Sequence, residues 1–187
     1  SGKTDTALAL ADHFPCHLIS CDSALIYRDM DIGTAKPDPQ TLERYPHALV
    51  DILSPMARYS AAQFRPDARA DIEIARAAGK MPVIVGGTFL YMKALIEGIS
   101  PIPPVKDEVR SELLARHQTE GIEPLYAQLS HLDPESAARL APADTQRILR
   151  ALEVVLSTGQ TLNHFWQLPP KEALPYPYLK FALTYQD

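Results

Sequence analysis

Apolar residues recur at helical spacing near the start of the chain, where Ala7, Leu8, Ala11 and Phe14 predict a helix from Thr4 to His13 that Pro15 ends. The period then shortens. His17–Cys21 reads as a short buried strand closing on Asp22 and Ser23, and Ala48–Ile52 reads as a second. Between them, the Gly and Pro of Ile32–Pro37 predict a loop. Phe64, Ala68, Ile72 and Ala75 share one face of a long helix from about Ser60 to Ala78, with Gly79 as its stop. Met81–Val85 is an apolar strand, which Gly86-Gly87-Thr88 turns into a further helix through Lys93. Strands alternating with helices in this rhythm predict a parallel α/β sheet.

The pattern changes after Pro101-Ile102-Pro103-Pro104. Asp107–Gln118, Pro124–Leu129, Pro134–Leu140 and Ala143–Thr158 carry only helical signals. Four prolines in 169–178 mark an extended arm, and Lys180–Tyr185 reads as a last strand. The fold class is therefore α/β: a parallel sheet core of phosphate-loop type flanked by helices, with an all-helical insertion. The expected domains are an α/β core over 1–100, a helical insertion over 101–142 and a return to the core over 143–187.

Composition narrows the function classes. The 187 residues suit one domain with a small insertion, and 46% hydrophobic against 22% charged residues suffices for a packed core. No apolar run approaches the roughly 18 residues that cross a bilayer. Cys16 and Cys21 fit neither a metal spacing nor a disulfide framework, which points to a reduced, cytosolic setting. A net charge of −5 argues against broad coating of nucleic acid but leaves room for a local basic groove. His13, His17, His47, His117, His131 and His164 show no metal spacing. Trp166, Tyr176 and Tyr178 suit either base stacking or ordinary packing.

Ser1-Gly2-Lys3-Thr4 matches the end of a phosphate-binding loop, a glycine, four residues and then Gly-Lys-Ser/Thr. The strand and first half of such a loop are not in the sequence, which reads as part of a longer polypeptide. Exposed N–H groups and the helix dipole favour an anion at such a helix start. Lys3 would meet phosphate oxygens, and the Thr4 hydroxyl could ligate Mg²⁺. A surface lysine and a helix cap are the alternative. Asp22 ends a strand at the edge where open α/β sheets bind ligands; it suits a base or a metal partner, and equally a turn cap. Gly86-Gly87-Thr88 opens at the same edge, where glycines let a backbone approach a ligand, or simply make a turn. Arg147, Arg150 and Gln146 share one face of a helix whose other face is Ile148, Leu149, Leu152, Val155 and Leu156. That polar face suits phosphate or RNA, or a solvated face bridged to Asp144 and Glu153. Arg110, on a helix with Val109, Leu113 and Leu114, is equally open.

Several blocks occur in one order over about 150 residues: Ser1–Thr4, Asp22–Tyr27, Met30–Pro37, His47–Asp51, Tyr59–Phe64, Gly86–Tyr91 and Asp144–Glu153. Together they resemble the tRNA dimethylallyltransferase (isopentenyl transferase) family, which prenylates an adenosine beside the anticodon. The Asp-Ser … Met-Asp-Ile-Gly-Thr-Ala-Lys-Pro block is the most specific. The resemblance implies that Ser1, Gly2, Lys3 and Thr4 bind the diphosphate of dimethylallyl diphosphate, with Mg²⁺ assisting at Thr4. It implies Asp22 as general base, with Thr88 and Arg110 beside the reacting diphosphate. It also implies that Asp22, Ser23, Ala24, Leu25, Gln146, Arg147, Ile148, Leu149 and Arg150 line the tRNA path. Phe89 stands where many members have Gly. A cytoplasmic monomer acting on a tRNA anticodon stem-loop, with no membrane partner, is the expectation. A phosphate-loop kinase using ATP is the rival enzyme, and an RNA-binding module without catalysis is the rival class.

Overall fold

The computed structural model describes residues 2–170 and 173–184. Among them, three strands and nine helices form two compact units, one of residues 2–99 and 173–184 and the other of residues 100–170.

The first unit is built on β1 (Cys16–Ser20), flanked by β2 (His47–Ala48) and β3 (Met81–Val85) in the order β2-β1-β3. All pairings are parallel, with Cys16 beside Met81 and Ser20 beside Val85 in one ladder and Leu18 beside His47 in the other. Parallel strands need crossovers, and the chain supplies them as helices. α1 (Lys3–His13) and α3 (Ala61–Ala77) both pack on β1 and β3, and α4 (Phe89–Glu97) packs on α3. A short α2 (Pro39–Arg44) starts on an Asp-Pro pair, where Asp38 accepts the Thr41 N–H at 2.7 Å.

α3 has signals at both ends. Ser60 and Gln63 make a reciprocal capping box, and the Gly79 and Lys80 N–H groups bond back to Arg76 and Ala75 around a left-handed Gly79. The helix presents Phe64, Ala68 and Ile72 to Ile19, Ile26, Tyr91 and Leu95 in a core where each is 5% exposed or less. Phe64 stacks on Tyr91 with ring centroids 4.8 Å apart.

The strand expected at Ala48–Ile52 stops after Ala48. Leu49 and Asp51 are left-handed, with φ of 62° and 55°, and no ladder continues through such residues. The bend instead lays 51–53 beside 25–27: Asp51 N–H donates to the Leu25 carbonyl at 3.0 Å, and Ile52 and Leu53 both donate to Ile26. The strand expected at Lys180–Tyr185 is absent over its described residues 180–184, Tyr185 lying outside them. Leu179 and Phe181 are 86% and 84% exposed, and alternation without a neighbouring strand to pair with does not make a strand.

The second unit holds α5 (Asp107–Glu120), α6 (Glu123–Leu132), α7 (Pro134–Ala138), α8 (Thr145–Thr158) and α9 (Leu162–Gln167). Ile148, Leu152 and Val154 of α8 are fully buried with Leu113, Leu125 and Leu129. The apolar stripe of α8 thus assigns it to the helical unit rather than to a return into the core at 143. The helical unit runs through residue 170, past the expected boundary of 142.

Candidate active site

The C-terminal ends of β1 and β3 and the start of α1 bring together four of the side chains picked out from the sequence. Cys21 N–H donates to the Val85 carbonyl at 2.8 Å, and Thr88 N–H returns to the Cys21 carbonyl at 3.1 Å. This wraps the Gly86-Gly87-Thr88 turn against the residue before Asp22. A side chain at Gly86 would meet the Cys21 backbone at 2.1 Å, so glycine is required there by close approach. Thr88 takes the Ser23 N–H on its hydroxyl at 2.9 Å and lies 3.3 Å from the Ser23 hydroxyl. On the other side, Lys3 Cε lies 4.0 Å from where a Gly87 side chain would begin. Lys3, Gly87, Thr88, Ser23 and Asp22 therefore share one edge of the sheet, where open α/β folds bind ligands.

Asp22 is half-buried and organises its own turn. Its Oδ1 accepts the Ala24 N–H at 2.9 Å and the Leu25 N–H at 3.4 Å. Hydrogen bonds of this kind fix a carboxylate's direction. The neighbouring Cys21 is no nucleophile: burial first, and then the Asp22 charge, push its thiol pKa up to about 12. α1 starts at a left-handed Gly2 with no side chain capping it, leaving the N–H groups of its first turn directed outward. Ser1 lies outside the described residues.

Mg²⁺ fits the oxygen donors of this edge in one way. No group of three or more His, Cys, Asp or Glu could cage a metal among the described residues. The Thr4 hydroxyl would hold an ion that keeps most of its water or takes oxygens from a bound diphosphate, which is the habit of Mg²⁺.

The remaining candidates lie in the helical unit. Arg110 Nε and Arg150 NH1 reach the two oxygens of Glu153 at 3.3 and 3.2 Å, and the Glu153 side chain is 6% exposed. Two guanidinium groups thus share one carboxylate. Arg147 is exposed and pairs with Asp144, the cap of α8, at 3.4 Å. The bridges to Asp144 and Glu153 read from the sequence are thus present. Gln146, Arg147 and Arg150 are exposed, whereas Ile148 and Leu149 are buried in the helical core. Those two cannot offer side chains to RNA, because their apolar surface is what holds α8 in place. Ala24 and Leu25 are half-buried, with their N–H groups taken by Asp22.

Sequence reasoning missed the Ser23–Thr88 link and the cluster of Lys36, Asp31 and Asp51. Thr88 was found by its turn, but nothing in the spacing of 23 and 88 brings them together. Lys36 looks like any loop lysine until the left-handed bend at 49–51 delivers Asp51 to it.

A parallel α/β sheet with a lysine, a strand-end carboxylate and a glycine turn on its ligand edge defines a protein of the phosphate-loop class. Residues 25–187 match the model of the IPP transferase family, and the chain belongs to that family. A tRNA dimethylallyltransferase from Dechloromonas aromatica is 47% identical over all of this chain and 60% of its own length. A tRNA dimethylallyltransferase 2 from Hahella chejuensis is also 47% identical, over 98% of this chain and 59% of its own. The chain thus spans about three fifths of the length of these relatives. Among solved structures, the full-length tRNA isopentenylpyrophosphate transferase of Bacillus halodurans is 38% identical with a TM-score of 0.52, covering 84% of this chain and 52% of that one. A eukaryotic dimethylallyltransferase acting on tRNA is 26% identical with a TM-score of 0.75, covering 92% and 43%.

Proposed function

We propose that the protein transfers a dimethylallyl group from dimethylallyl diphosphate to the N6 amine of the adenosine 3′ to the anticodon in tRNA. The observation that carries this reading is the convergence of Lys3, the Gly86–Thr88 turn and the Asp22 turn on one sheet edge, in a chain of the IPP transferase family. Lys3 and the first-turn N–H groups of α1 provide positive potential for the diphosphate.

In the proposed step, the adenine N6 lone pair forms a bond to the allylic carbon. The bond from that carbon to the diphosphate oxygen breaks, and its electron pair leaves on the diphosphate. Lys3 and the helix start oppose the charge that grows there, which is where stabilisation lowers a barrier. Mg²⁺, when bound, supplies further charge on the leaving group. The amine proton passes to Asp22; with Oδ1 committed to the 24–25 backbone, the other oxygen is the one that takes it. The base would have to leave its stack to reach this edge. Gln146, Arg147 and Arg150 suit RNA backbone contact by charge and exposure, whereas the role of Arg110 toward the diphosphate rests on the resemblance alone.

The test is label transfer by the full-length protein with Mg²⁺ and an anticodon stem-loop. Asp22→Ala is expected to lower turnover by about 10²–10⁴-fold, the usual range for losing a positioned base. Near-normal turnover would remove Asp22 from the role.

A further inference from the structure

Lys36 is a buried ammonium that the reaction does not use. Its side chain is 3% exposed, and all three of its donors are taken. Nζ donates to the Tyr27 carbonyl at 3.0 Å, to Asp31 Oδ1 at 2.7 Å and to Asp51 Oδ1 at 2.5 Å. Asp31 is 69% exposed and Asp51 40%, so the buried ammonium is met by carboxylates that reach it from the surface.

The bonds continue from Asp51. Its N–H donates to the Leu25 carbonyl at 3.0 Å. The N–H groups of Leu25 and Ala24 end on Asp22 Oδ1. Arg28 holds the same segment from outside, its Nε on the Asp51 carbonyl at 2.9 Å and its NH2 on the Ile52 carbonyl at 3.2 Å. Among the described residues, Asp51 is one of four non-glycine residues with positive φ, and two others, Asp29 and Ala35, flank the loop that Lys36 closes. Such backbone persists only where the surroundings over-determine it. Thr88 holds the opposite side of the Asp22 turn through Ser23.

We infer that Lys36 is a positioning residue for Asp22, acting through the Asp51 side chain and the 51–25 backbone pair to hold the 22–25 turn in register with Thr88. The inference rests on the reading of Asp22 as the base. Without the ammonium, Asp51 faces no counter-charge and is released to an ordinary backbone conformation. The Leu25 carbonyl then loses its fixed donor, and the carboxylate is no longer aimed. Diphosphate binding, at Lys3 and the start of α1, does not pass through this chain of bonds.

Lys36→Met keeps the length of the side chain and removes its charge. In the full-length protein kcat is expected to fall about 10- to 100-fold, the scale for a misplaced reacting group. KM for dimethylallyl diphosphate should stay within about twofold, because uniform binding is untouched. In an Asp22→Asn background the same substitution should change the residual single-turnover rate less than about threefold, since residues acting through one group are not additive. Equal losses in both backgrounds would overturn the inference and leave Lys36 a purely structural lysine. Near-normal turnover of Asp22→Asn alone would remove the base and the inference with it, a result distinct from the former. Should Lys36→Met not fold, Asp51→Asn carries the same cycle, with the same two readings.

Discussion

A side chain placed on Gly86 would start 2.1 Å from the Cys21 carbonyl oxygen and 2.3 Å from its carbonyl carbon, inside any tolerable contact. The obstacle is backbone in the central strand's extension, so it cannot swing away. Gly86→Ala is therefore expected to cost about 1–3 kcal/mol, the range for overpacking, with a lower denaturant midpoint at unchanged slope. An unchanged midpoint would mean that the strand ends part freely. Gly87→Ala meets only the Lys3 methylene at 4.0 Å and serves as the control for folding. His47 supplies a pH dependence. Burial lowers its pKa below 6.5, opposed by the Nδ1–H bond to the Tyr45 carbonyl at 2.7 Å, and its buried Nε2 has no partner among the described residues. The folded state thus binds fewer protons than the unfolded one below about pH 6.5, and stability is lost as pH falls from there toward the folded pKa. Thermal unfolding followed between about pH 8 and pH 5 should show a loss that His47→Gln flattens; parallel curves for the two proteins would exclude His47 as its source.

Elements with strong ends or long stripes were legible, and short ones were not. Met81–Val85 is legible to the residue, and α3 within a residue at each end, because Phe64, Ala68, Ile72 and Ala75 share one face and Gly79 stops the helix. α2 and α9 have six residues each, too few for a period, and rest on Asp38 and Thr161 as caps. β2 was overread because nothing in Leu49-Val50-Asp51 announces two left-handed residues; tertiary bonds to 25–27 impose them. In the helical unit, Asp133 joins two short helices. The residue is 1% exposed, and its carboxylate accepts from Ser136 N–H at 3.1 Å and Leu162 N–H at 2.9 Å. Removing it strands two buried donors. Asp133→Ala is expected to destabilise this unit by about 3–6 kcal/mol, each of the two charged hydrogen bonds contributing roughly 1.5–3. Hydrogen exchange should show the loss first at the amides of 135–138 and 162–167. Protection as strong as in the parent would contradict the role.

At the scale of the whole molecule, the two units divide the candidate chemistry: anion and proton handling on the sheet edge, and the candidate arginines Arg110, Arg147 and Arg150 on α5 and α8. No helix among the described residues is long and apolar enough to cross a membrane. The sheet-edge residues were legible because strand ends and glycine turns announce a ligand edge. The split of α8 was legible only in part, since its sequence shows two faces but not which one the core claims. The most direct measurement offers the full-length protein radiolabelled dimethylallyl diphosphate and ATP in parallel, with Mg²⁺ and an anticodon stem-loop. Prenyl label on the adenosine, with no phosphoryl transfer from ATP, is the expected result. Phosphoryl transfer without prenylation would contradict it and leave a kinase built on the same phosphate edge.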